Sequence, residues 1–116
     1  MARAAALTLT LLALGGLGTS TASARGEFRR EVPRWWIAPA LCVHHYEGSW
    51  QDPDAPYYGG MQMDWSFMHN YGPWTLRRYG TADHWPWRTQ LLIAYRGWRA
   101  QGWGAWPNSA HFCGLI

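Results

Sequence analysis

The chain of 116 residues contains no lysine: all ten of its basic residues are arginine, set against seven acids. A formal net charge of +3 is too small to draw a polyanion, so nucleic acid is not an expected partner, although arginine beside tryptophan can grip a strand. Glutamate is scarce too, and beyond Glu47 the only carboxylates are aspartates. Cysteine is limited to Cys42 and Cys113, with no C-x-x-C pair. They have one intramolecular pairing, a disulfide that closes a long loop and ties the C-terminal segment to the region of Cys42. The rival use is a zinc site with His44, His45 or His111. Adjacent histidines on a helix point in different directions, which disfavours it, so neither metal nor cofactor is expected. Repeats, low-complexity tracts and convincing strand patterns are all missing. What remains is one domain at most, of mainly α class.

Long apolar runs are confined to the N-terminus. Arg3 gives a short positive region, Ala4 to Leu17 is nearly all apolar or small, and Ala22-Ser23-Ala24 fits a small-x-small cleavage site. Residues 1–24 therefore read as a secretory signal peptide. The run is short for a membrane span, which needs about 20 residues. A secreted or cell-wall product, free of the membrane once cleaved, is expected. Removing Arg3 with the leader lowers the net charge from +3 to +2. The remaining chain is small for a self-sufficient core, and export makes a reinforcing disulfide available. Residues 25–33 are charged and show no periodicity, which predicts a flexible lead-in with order from near Val32 and a domain over 34–116.

Aromatic residues are abundant: ten tryptophans, six tyrosines and three phenylalanines. They crowd the stretch Leu41 to Met63, LCVHHYEGSWQDPDAPYYGGMQM. The apolar run Trp35, Trp36, Ile37, Ala40, Leu41, Val43 predicts a buried helix over Trp35–Glu47, starting near Ala38 or kinked at Pro39. Gly48 follows as a left-handed stop. A carboxylate at the inner end of a buried helix, beside Tyr46 and Trp50, is poorly solvated, so its neutral, proton-donating form is favoured. The plainer alternative is a capping or solvent-facing glutamate. Trp50 to Pro56 is turn chemistry. Gly59-Gly60 between aromatic and apolar residues implies close backbone approach, to another segment or to a ligand.

Asp64 is a plausible N-cap for a short helix through Phe67, Met68 and Tyr71, stopped by Gly72. Pro73 opens another, with Leu76 and Tyr79 inward, Arg77 and Arg78 solvated, and Gly80 at its end. From Pro86, the residues Trp87, Leu91, Ala94, Tyr95 and Trp98 fall on one helical face, with Gly102 the stop. Gly97 inside that helix hints at close packing. Gln101 to Ile116 reads as a loop.

Three stretches together resemble one family. They are Trp35…Cys42…Glu47-Gly48…Trp50, then Tyr57-Tyr58-Gly59-Gly60-Met61-Gln62, and QGWGAWP from Gln101 to Pro107. The chain is similar to the actinobacterial resuscitation-promoting-factor family over about Trp35 to Cys113. The resemblance implies a small lysozyme-like, transglycosylase-like domain, tied by one disulfide, acting on peptidoglycan. Glu47 matches the family's catalytic glutamate, which protonates a glycosidic oxygen. Gln62 and Gln101 match residues facing the sugar cleft, and Trp50, Tyr58 and Trp103 are further candidates for that cleft. Cys42 matches the cysteine that the family pairs with one near its C-terminus, here Cys113. The chain also departs from the pattern: Val43 to Tyr46 separate Cys42 from Glu47, where the family has the two adjacent, and Cys113 lies further beyond Pro107. Phe67 and Met68 replace a downstream threonine and tryptophan.

The expected activity is cleavage of the MurNAc–GlcNAc bond with Glu47 as general acid. A hydrolase needs a second carboxylate, with Asp52, Asp54 and Asp64 as candidates. A lytic transglycosylase needs Glu47 alone, because the substrate's own hydroxyl attacks. Glycan strands are the expected partner, a cell-wall peptidase a candidate one, and the protein is expected to be a monomer. The alternative is a catalytically silent, secreted carbohydrate- or partner-binding module on the same fold.

Overall fold

A computed structural model describes residues 23–116, so the signal-peptide expectation for residues 1–24 lies outside the described residues apart from its last two, Ser23 and Ala24. Six helices lie among the described residues: α1 (residues 23–31), α2 (Arg34–Glu47), α3 (Trp65–Tyr71), α4 (Pro73–Tyr79), α5 (Trp87–Gln101) and α6 (Pro107–Phe112). Short 3-10 turns occupy Ala82–His84 and Gly102–Ala105. Among the described residues the only β pairing is an isolated bridge between Tyr58 and Met63. None of the described helices is long and apolar enough to cross a membrane.

The long helix α5 lies at the centre. It buries Gln90, Leu91, Leu92, Ile93, Ala94 and Gly97, and packs against α3 and the second 3-10 turn. The predicted face is only part of this surface, and Trp87, assigned to it, is instead half-exposed with its edge toward Phe28. Gly97 meets its expectation: a Cβ there would sit 2.0 Å from the Phe67 ring. Helix α2 starts at Arg34, behind Pro33, and runs through Pro39. One face, Trp36, Ala40 and Val43, is buried; Trp35 and Leu41 are exposed, so the predicted all-round burial is corrected. Asp64 caps α3 by accepting the Phe67 N–H at 2.8 Å, and Pro73 opens α4, as the residues indicate. Leu76 faces the core, but Tyr79 turns outward beneath the Arg78 guanidinium.

Two segments expected to be irregular are helical. In α1, Phe28 is buried and Val32, just past the helix end, is buried four residues on, an apolar pair at helical spacing amid charge. Arg96 anchors this helix by donating from Nε and Nη2 to the two Glu31 oxygens, at 2.7 and 2.9 Å. That hydrogen bond holds the Glu31 carboxyl below its ordinary range, against an opposing contribution from burial and with the charges of Arg96 and Arg99 assisting. In the tail, Pro107 opens α6, which packs on α2. Cys42 and Cys113 are joined, with Cα atoms 6.1 Å apart and a sequence separation of 71. Both sulfurs are thereby removed as thiolate ligands, and the bridge fastens α6 to α2.

Candidate active site

The site is assembled around the turn Gly59–Met63, which almost every neighbouring element holds. The side chain of the buried Gln90 accepts the Gly60 N–H at 2.8 Å and donates to the carbonyls of Trp50 and Trp85, at 2.8 and 3.0 Å. His44 Nδ1 bonds the Gly60 carbonyl at 2.8 Å, and the Trp106 indole donates to the Met61 carbonyl at 2.7 Å. The glycine pair is required by space as well as by torsion. Gly59 has φ 76°, and a Cβ on Gly60 would lie 2.3 Å from the Trp50 ring. The close approach read from Gly59-Gly60 is therefore to other parts of the chain.

One non-glycine residue in this turn, Gln62, has positive φ, 47°. Such backbone costs on the order of 1 kcal/mol and persists where surrounding contacts over-determine it. Here the Gln62 amide N–H groups donate to Asp52 Oδ2 at 2.8 Å and to the Gly59 carbonyl at 3.0 Å. Both partners accept, which fixes the amide orientation and leaves Oε1 without a partner among the described residues.

Glu47 is the last residue of α2. Its Oε2 accepts a short hydrogen bond from the hydroxyl of Ser109 on α6. Gly48 then continues in extended backbone, φ 162°, where the sequence suggested a left-handed stop. It is closely flanked: a Cβ on Gly48 would lie 3.3 Å from both Asp52 Oδ2 and Gln62 Nε2. Asp52 and Gln62 thus flank Gly48, the residue that follows Glu47. Of the other candidate carboxylates, Asp64 is engaged in capping α3, and Asp54 is exposed, its backbone N–H donating to Asp52.

A groove of about 280 Å³ adjoins this cluster, lined by Tyr57, Gln62, Met63, Asp64, Ser66, Phe67, Asn70, Gln101, Ala105 and Trp106. Gln62 and Gln101 both line it, and Gln101 donates to the Tyr71 hydroxyl at 2.9 Å. Trp50, Tyr58 and Trp103 do not. Trp50 stacks on His44 with ring centroids 3.7 Å apart, Tyr58 pairs with Met63 through backbone, and Trp103 stacks on the buried Trp36. Glu47 is outside the lining; the residue after it, Gly48, is flanked by Gln62, which lines the groove. A larger concavity, about 440 Å³ and mostly apolar, lies among α1, α4 and α5 and contains none of the predicted site residues.

Sequence reasoning missed Ser109, because the tail was read as a loop. The signal was present: Pro107 opens a helix as Pro73 does. Compared with known proteins, the chain matches no family model and no curated protein.

Proposed function

We propose that the protein is a secreted glycosidase that cleaves the MurNAc–GlcNAc bond of peptidoglycan, with Glu47 as general acid. The observation that carries this reading is a groove lined by Gln62 and Gln101, with the Asp52–Gln62 pair flanking Gly48, the residue that follows Glu47. Glu47, Gln62 and Gln101 are residues that the motif resemblance assigns to catalysis and sugar contact. The departures from the family pattern also find a geometric account. Cys42 precedes Glu47 on α2 and Cys113 follows Ser109 by one turn of α6, and the two helices run antiparallel along this contact. Displacements in opposite chain directions therefore keep the cysteines face to face.

In the reaction, the glycosidic oxygen takes the Glu47 proton as its bond to the sugar carbon breaks, and the sugar develops oxocarbenium character. On this reading Asp52 faces that cation or activates a water; its oxygens accept from Gln62 and from the Asp54 N–H. The free Oε1 of Gln62 suits an N–H or O–H donor on the sugar. The disulfide fits an oxidising compartment, consistent with export.

Purified peptidoglycan digested with the native protein and with Glu47→Gln tests the reading. Muropeptide release by the native protein alone is expected, and their anhydro or reducing ends separate transglycosylase from hydrolase. If neither protein cleaves but both bind glycan, the binding-module alternative takes its place.

A further inference from the structure

Ser109 is a buried hydroxyl, 3% exposed, on a helix whose two ends are both fastened. Before its first turn, the Trp106 indole is bonded to the Met61 carbonyl; just beyond its last, Cys113 is bonded to Cys42. A buried hydroxyl without a partner is costly, and the side-chain partner Ser109 has is Glu47 Oε2. Glu47 is thus gripped by a residue that the fold holds rigidly in place.

The geometry points to Ser109 as the positioning residue of the acid. By donating to Oε2 it fixes the rotation of the carboxyl group and leaves Oε1 as the oxygen that carries and delivers the proton. The same bond strengthens as charge develops on Glu47, because a donor to a carboxylate is stronger than one to a neutral acid. This inference rests on the glycosidase reading for its catalytic consequence, but the contact itself is a property of the folded protein.

Ser109→Thr and Ser109→Val form an isosteric pair with and without the hydroxyl, and Ser109→Ala removes it without added bulk. Digestion of peptidoglycan should show kcat reduced roughly 10- to 100-fold in the Ala and Val variants, with KM near native and Thr largely restoring kcat. Circular dichroism and melting of the three variants identify any loss due to misfolding, and the Thr–Val comparison cancels the added methyl. A readout independent of turnover comes from the scarcity of glutamate. Labelling of Glu Cδ with carbon-13 gives resonances from only Glu27, Glu31 and Glu47, and Glu47→Gln identifies the third. That resonance should move in the Ala and Val variants and stay near native in Thr. If it is unmoved in all three, or if Val retains native kcat, the positioning role is overturned. If the native protein cleaves nothing while the resonance responds as described, the glycosidase reading falls and the Ser109–Glu47 contact stands.

Discussion

Two regions of this small domain are built on opposite principles. Around Trp36 the rings of Tyr95, Trp98 and Trp103 lie with centroids 5.2 to 6.0 Å apart, and nothing polar directs them. Among the described residues the buried indole nitrogens of Trp36 and Trp98 find no hydrogen-bond partner. Around the Gly59–Met63 turn the reverse holds. Trp106 is equally buried, yet its nitrogen is spent on the Met61 carbonyl, and Gln90 satisfies three backbone groups at once. Shape holds the first region together, whereas directional bonds fix the second to within a narrow range of positions. The Asp52 carboxylate stands beside the second, bonded to Gln62. A catalytic group of the kind proposed belongs beside such a region, because catalysis is sensitive to misplacement that stability tolerates.

The comparison breaks most sharply at Gln90. Gln90→Leu preserves volume but strands three buried backbone groups, and a loss of about 3–5 kcal/mol is expected in denaturant unfolding. Replacing both cysteines by serine releases α6 from α2 and, by the loop-closure model, costs roughly 4 kcal/mol, read as a lower melting temperature. The paired substitutions Trp106→Phe and Trp36→Phe sharpen the contrast directly. The first should cost about 2–3 kcal/mol, because it leaves the Met61 carbonyl unpaired as well as losing packing. The second should cost only about 1 kcal/mol, since the N–H it removes has no partner to abandon. Equal costs in urea titrations would dissolve the distinction between the two regions.

The smallest effect lies at the periphery, in the Glu31–Arg96 pair. The Glu31 carboxyl is held low, so its contribution is complete above the ordinary glutamate value of 4.5 and is lost as pH falls through the lower folded-state value. Both side chains are about one-third exposed, and solvent screening limits the contribution to less than about 1 kcal/mol. Acid titration of stability should accordingly be flatter for Glu31→Gln than for the native protein below that value.

Much of the helical framework was legible because its punctuation is chemical. Asp64 and Pro73 open their helices, Gly102 follows the end of α5, and Gly97 marks the place where Phe67 presses on it. The disulfide followed from there being two cysteines. Of the residues expected to face a sugar cleft, Gln62 and Gln101 line one groove, while Trp50 and Trp103 pack within the fold. Composition could not separate these roles, because a tryptophan suits a sugar and a core equally well. Helix α1 was hidden by its charges: only Phe28 and Val32 among them carry the burial. The Ser109–Glu47 contact was hidden by distance along the chain, since no local pattern reports a pair 62 residues apart.

That separation also sets an order of events during synthesis. The ribosome delivers Glu47 and its helix long before Ser109, Trp106 and Cys113, and contacts so distant in sequence form late. A nascent chain halted after α5 would carry the glutamate without the group that orients it. On the proposed function, the acid is complete only once the final helix has docked, and competence and completion arrive together.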